Sequence, residues 1–252
     1  MATGAGAAWV ERINVTPVKG LALSNPAAIE LTRAGAKDDR RFLLVSEDGR
    51  LVNGKRIGGG LGLARAEWYA EDGVLALTLP DGSVVRDDVR RGEPTVTDVY
   101  DRLIPGTVVT GPFAEALSDL AGIHVRLIER QEGSWATDSR PATIVSRASL
   151  DAFGGDGRRF RMLLEIHGVE AFAEDAWRDR RLRVGEVTLL VEGPTPRCAL
   201  PSYDPDTAER DRDVLRELLA ARGPIDGEPC LGVFADVLEV GVVRVGGTVE
   251  VV

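Results

Sequence analysis

A mainly β fold with a few helices is the class this sequence predicts, on three observations. Apolar runs are short and punctuated by Gly, Asp and Pro; Asp-Gly pairs recur at hairpin spacing; and residues 231–252 read strand, glycine turn, strand. In order along the chain, residues 41–45 predict a strand, Glu47-Asp48-Gly49-Arg50 a turn, and Leu51-Val52 the return. Residues 75–79, with Asp72-Gly73 before and Asp81-Gly82 after, lead into Val84-Val85. Such pairs favour tight hairpins because Gly accepts positive φ without strain. A helix is expected from Pro112, with Phe113, Ala116, Leu117, Leu120 and Ala121 on one face and Gly122 ending it. A second spans 213–222, with Val214, Leu215, Leu218 and Leu219 apolar before Gly223-Pro224. Shorter helical turns are expected at 149–153 and 171–177. Beyond them, strands 233–240, 242–245 and 249–252 are separated by Gly241 and Gly246-Gly247, a rhythm that suits the curved wall of a small barrel. A soft boundary near 105–112 divides the chain into 1–110 and 111–252.

The 252 residues suffice for one large β unit or two modest domains sharing a buried seam. No apolar run approaches the ~20 residues that span a bilayer, so no membrane partner is expected. Residues 1–6 read as a frayed terminus rather than a signal peptide, and the cytoplasm is the expected compartment. A net charge of −9 argues against nucleic acid, whose phosphates require a basic surface. Within that acidic chain, arginines cluster at Arg40-Arg41, at Arg158, Arg159 and Arg161, and at Arg178, Arg180, Arg181 and Arg183. Local basic pockets of this kind suit a small anionic ligand, although arginine also stands in for lysine here, with only Lys19, Lys37 and Lys55 present. Cys198 and Cys230 are expected as free thiols, Cys230 in a structural role. His124 and His167 are too few for a conventional zinc site and also read as structural. G-x-S-x-G is absent, which leaves a Ser-His-Asp hydrolase unsupported.

Chemistry concentrates at 194–206, PTPRCALPSYDPD. Pro194, Pro196 and Pro201 stiffen the backbone around Cys198, and Arg197 sets a cation beside it. A neighbouring cation favours thiolate, the form that attacks and ligates metals. Prolines 194 and 196 cannot donate to a sheet ladder, so a loop or an edge is expected there. Upstream, Thr16-Pro17-Val18-Lys19-Gly20 offers a phosphate both an ammonium and an open backbone amide. Asp38-Asp39-Arg40-Arg41-Phe42, Arg158-Arg159-Phe160-Arg161 and Glu174-Asp175 are charge runs, of which an ordinary solvated face is the commoner outcome.

In this order, PVKG, DDRRFLLVSEDGR, RRFR, AFAEDAW, VGEV, PTPRC, DPDT and LGVFADVLEVGVVRVGGTVEV resemble the MOSC family, named for the C-terminal domain of molybdenum-cofactor sulfurase. Each motif is weak alone; the ordered set spans nearly the whole chain and is similar to amidoxime-reducing-type members. The resemblance implies an N-terminal β-barrel domain (1–110) packed with a β-barrel-like MOSC domain (111–252). It also implies molybdenum cofactor, with Cys198 as thiolate ligand of the metal or as a persulfide carrier. Lys19 and Gly20, Arg40, Arg161, Pro196 and Arg197 match family positions around the cofactor, an assignment that fits an anionic pterin phosphate and a soft metal centre.

Two departures stand out. Arg161-Met162-Leu163 replaces the family's R-P-N, and Leu200-Pro201-Ser202 replaces its Thr-Thr pattern after the cysteine. The leading expectation is a molybdenum oxidoreductase that reduces N-hydroxylated small molecules, with external electron-transfer proteins, since no haem, flavin or Fe–S motif is present. The alternatives are a sulfurtransferase charged by a sulfur donor, its persulfide on Cys198 serving a specialised biosynthetic pathway, and a non-catalytic cofactor carrier.

Overall fold

The computed structural model describes residues 7–252; the terminus 1–6, read from sequence as frayed, lies outside them. Most regular structure is strand, as expected, and it closes one seven-stranded barrel. Around that barrel the strands run Ala8–Ile13, Leu164–His167, Ala142–Ser146, Cys230–Glu239, Val187–Pro196, Arg181–Val184 and Thr248–Val251. Its interior is filled by Val10, Ile144, Leu164, Leu189, Val191 and Ala235, all fully buried. Alternation puts them there, since every second residue of a strand faces one side.

The other half stacks a five-stranded sheet on a three-stranded one. The larger runs Leu51–Val52, Phe42–Ser46, Val125–Arg130, Leu103–Thr110, Arg90–Asp98; the smaller is the meander Arg65–Tyr69, Val74–Thr78, Val84–Asp88. Its hairpins turn at Gly73 (φ 69°) and Gly82 (φ 85°), the two Asp-Gly sites. Phe42, Leu44, Leu75, Leu77, Val109 and Leu127 form the shared core, and the helix Phe113–Ala121 caps it through Phe113 and Leu117. That helix ends on Gly122 at φ 65°, the left-handed C-cap its sequence announces. On the helix Val214–Arg222, Val214 and Leu218 are buried but Leu219 is 42% exposed. The expected apolar face is narrower than its four residues, because a surface helix buries only the i, i+4 stripe.

Strand pairing crosses residue 110 in both directions. Ala8–Ile13 closes the barrel between Leu164–His167 and Thr248–Val251. Ala28–Thr32 pairs with Gly241–Arg244, so that strand of the C-terminal rhythm lies outside the barrel. Val125–Arg130 is the centre of the five-stranded sheet. Non-local pairs of this kind make the barrel dependent on the chain's first strand. Residues 111–252 produced alone are therefore expected to show no cooperative urea transition, while the full chain shows one, read by circular dichroism. A sharp transition in the fragment would mean the barrel closes without that strand.

Candidate functional site

A cavity of about 310 Å³ opens where the two halves meet. Every residue singled out as a site candidate lines it: Lys19, Gly20, Arg40, Arg161, Pro196, Arg197 and Cys198. They arrive from four segments far apart in sequence, each with a local reason for its position.

Lys19 and Gly20 end the loop after the first strand, where Lys19 N–H donates to Phe42 O at 2.9 Å. Gly20 sits at φ 102°, and a Cβ there would lie 3.2 Å from Leu61 Cδ1, so the residue is suited to its close turn. Lys19 is 5% exposed, and its ammonium donates to Ala136 O at 2.7 Å and Asp138 at 2.6 Å. Burial pushes its pKa down, with Asp138 pulling it back up and Arg40 and Arg161 adding to the depression. Arg40 occupies a turn tied to the same loop: Arg40 N–H donates to Thr16 O, and Asp39 accepts from Thr16 N–H at 2.9 Å. Asp39 also pairs with the Arg40 guanidinium. The turn holds Asp38 (φ 62°) and Arg40 (φ 48°) in the left-handed region, which is uncommon without glycine.

Arg161 follows the short helical turn Gly157–Arg159 and is itself left-handed, at φ 55°. Its guanidinium reaches across the seam to Leu21 O at 2.7 Å. Burial, then the charge of Arg40, lowers its pKa to about 10. Arg159 lines the cavity too, but Asp204 and Asp211 neutralise it at 2.9 and 2.7 Å. The Arg178–Arg183 cluster instead lies on the exposed surface, where Arg178 pairs with Asp226 at 2.9 Å. The reverse holds for Glu174, read as part of a charge run: it is fully buried and accepts from Ser146 N–H at 3.1 Å.

The strand Val187–Pro196 carries the chain to Cys198. Pro194 and Pro196 pair only with Val233 and Cys230 of the neighbouring strand, across register shifts, while Arg181–Val184 covers only residues 187–190. The prolines thus occupy a one-sided strand end, where their missing N–H groups go unneeded. Arg197 donates to Phe160 O and lies 5.5 Å over the Phe160 ring. Burial lowers its pKa, against an opposing electrostatic influence that is largest from Cys198. Cys198 is half-buried and unbonded to any other cysteine. Cys230 is 2% exposed, its thiol directed at Ile225 O and its pKa raised by burial, as befits a packing residue. His124 stands exposed beside Glu47 at 3.3 Å and His167 stacks on Trp9; neither lines the cavity.

The two sequence departures fall differently once placed. Leu163 packs in the barrel core at 2% exposure and does not line the cavity, whereas Met162, Leu200 and Pro201 do. Ser202 is fully buried, and its hydroxyl accepts from Val214 N–H at 3.1 Å, which caps the following helix. Lining residues that the sequence did not single out include Asn53, Tyr100, Thr137, Asp138, Thr143 and Thr195. Nothing local marks them, since each is a single polar residue in a loop or strand.

The charge balance defines what the cavity can hold. Lys19 and Arg40 each have a carboxylate partner, whereas among the described residues none lies within salt-bridge distance of Arg161 or Arg197. Thr195 Oγ1 and Arg197 Nε are buried without a hydrogen-bond partner. Buried donors in that state are costly until an acceptor arrives. A guanidinium surplus, two unpaired donors and a thiol fit an anionic ligand that carries a soft metal.

The family described as MOSC domain matches residues 134–250, and that described as MOSC N-terminal beta barrel domain matches 7–108. Mitochondrial amidoxime-reducing component 1 of Danio rerio is 26% identical over 94% of this chain and 82% of its own length. Mitochondrial amidoxime reducing component 2 of Rattus norvegicus is 30% identical over 44% of this chain, and molybdenum cofactor sulfurase of Danio rerio 27% identical over 87%. The chain spans only 37% and 31% of the length of those last two relatives. The crystal structure of the YuaD protein from Bacillus subtilis aligns with a TM-score of 0.45 at 14% identity, covering 97% of this chain and 95% of that one. No helix among the described residues is long and apolar enough to cross a membrane.

Proposed function

This chain carries a MOSC domain behind a MOSC N-terminal β-barrel domain, and from that premise we propose that it is a molybdenum-cofactor oxidoreductase reducing N-hydroxylated small molecules. The observation that carries the proposal is the uncompensated charge of Arg161 and Arg197 on the cavity that holds Cys198. Relatives named amidoxime-reducing components point to the substrate class.

Lys19, Arg40 and Arg161 would hold the pterin phosphate, the Gly20 backbone would allow its close approach, and Thr195 and Arg197 would donate to further oxygen or sulfur acceptors. Cys198 would be the protein's ligand to the metal. When bound, the cofactor supplies two-electron oxygen-atom transfer. The chain's own part is to neutralise the anion, to shelter the thiolate in a half-buried position where water competes poorly, and to keep Arg197 beside it. Electrons would come from external electron-transfer proteins. The cytoplasm is the proposed compartment, where free thiols such as Cys198 and Cys230 persist.

Metal analysis of the protein purified from a cofactor-making host tests the reading. Near-stoichiometric molybdenum is expected, with loss of N-hydroxy substrate only when an electron donor is supplied. A metal-free protein bearing cyanide-labile sulfur on Cys198 would instead make it a persulfide carrier, while molybdenum without turnover would make it a cofactor carrier.

A further inference from the structure

Beneath the turn that carries Arg161 lies a buried polar network built on Asn14 and Glu165, both fully buried. Asn14 follows the first strand, Ala8–Ile13, and leads into the loop that bears Lys19 and Gly20. Its side-chain amide donates to Met162 O at 2.8 Å and to Glu165 Oε1 at 3.0 Å, while its backbone N–H donates to Leu163 O at 2.9 Å. Asn25 donates to Asn14 Oδ1 at 2.7 Å, so both ends of the Asn14 amide are engaged. Glu165 stands between Leu164 and Ile166 of the barrel core, and alternation turns its carboxylate to the other side of the strand. The turn from Gly157 to Arg161, whose N–H donates to Gly157 O at 3.2 Å, rests on that carboxylate. A Cβ at position 157 would lie 2.4 Å from Glu165 Oε1, so only glycine permits the contact.

Such a network is a poor source of stability. Glu165 Oε2 has no hydrogen-bond partner, and Arg147, which also pairs with Asp151 at 2.7 Å, stands 3.6 Å from it. A carboxylate buried in that state costs more than an apolar side chain of its size. What the network supplies is geometry, because buried hydrogen-bonded groups rigidify the segments they join. Here they join the two carbonyls that follow Arg161 to the residue that opens the Lys19 loop. Where the family's R-P-N has proline, Met162 leaves φ free, and the Asn14 amide supplies a constraint that no ring provides.

We infer that Asn14, held by Glu165, is a positioning residue: it fixes the Arg161 turn against the Lys19 loop so that both cations meet one anion in the cavity. The inference rests on the proposed role of Arg161 in holding the cofactor's phosphate, but it is read on cofactor-free protein with pyrophosphate as the probe.

The test is calorimetric titration of wild type, Arg161→Met, the double variant Asn14→Leu/Glu165→Leu and the triple variant that combines all three changes. Replacing both partners by leucine orphans neither of them, so the double variant should keep a urea transition close to wild type. Its pyrophosphate affinity should nevertheless fall about tenfold, a loss that a purely structural role would not produce in a stable protein. In the Arg161→Met background the same two changes should cost less than about twofold, since a cation already removed cannot be misplaced. Wild-type affinity in the double variant, losses that multiply in the triple variant, or a double variant without a cooperative transition overturns the inference. Pyrophosphate held equally by wild type and Arg161→Met overturns it together with its premise about Arg161. A protein that shows the expected cycle but acquires no molybdenum would sink the oxidoreductase reading and leave the role of Asn14 standing.

Discussion

Replacing Cys198 with alanine is expected to drop bound molybdenum from near one per chain to below about a tenth, and N-hydroxy reduction by at least about a hundredfold. A thiolate–metal bond has no substitute on this wall: among the described residues no group of three or more His, Cys, Asp or Glu side chains could take over the metal. Cys230→Ser should retain the metal, because that thiol is buried toward Ile225 O and does not line the cavity. Cys198 is half-buried at the end of a strand, so its truncation should leave the unfolding transition close to wild type. Metal content, measured on folded protein, is therefore the decisive readout. Full molybdenum in the alanine variant would remove Cys198 as a ligand whatever happened to turnover.

Arg161→Met is expected to work in opposite directions on stability and binding. Burial and Arg40 hold the pKa of Arg161 down at about 10, so the cation is less comfortable in the folded chain than in the unfolded one. The unfolded state therefore binds the extra proton between about pH 10 and the ordinary arginine value, and stability rises with pH across that window. Below it, neutral pH included, the destabilisation is present in full. A methionine keeps most of the volume and removes the charge, which should raise the unfolding midpoint of the cofactor-free protein by a few degrees, on the order of 1–2 kcal/mol. It also removes a charged donor from the anion site, so the stabilisation conferred by added pyrophosphate should weaken, with affinity falling about 10- to 100-fold. The same affinity in wild type should decline as pH rises through 10. A lower midpoint together with undiminished pyrophosphate binding would mean that the surplus charge is not what the cavity uses.

Much of this site was legible in the sequence because its chemistry-bearing residues come with local punctuation. PVKG, DDRR and PTPRC each combine a charged or nucleophilic residue with a proline, a glycine or a turn-forming aspartate, and all three line the cavity. Tyr100 escaped notice because the hairpin that carries it is tied to the opposite half by Arg102, which donates to Thr137 O and Ser139 O, partners 35 and 37 positions away. Leu163, where the family carries the Asn of R-P-N, is a barrel residue at 2% exposure, since position along a motif does not say which side of a strand's start a side chain faces.

Period, turn chemistry and capping are local, so residues alone determined the β class, the Asp-Gly hairpins and the helix between Pro112 and Gly122. Tertiary structure alone decided which cations are neutralised. Arg159 and Arg161 are two residues apart and look alike in sequence, yet one is satisfied by Asp204 and Asp211 while the other reaches a backbone carbonyl of the opposite half. Carboxylates that close a charge balance come from distant segments, and no local pattern specifies which arginine they will reach. The first strand's place in the barrel has the same origin, because a strand's partners are chosen by the sheet that remains open to it.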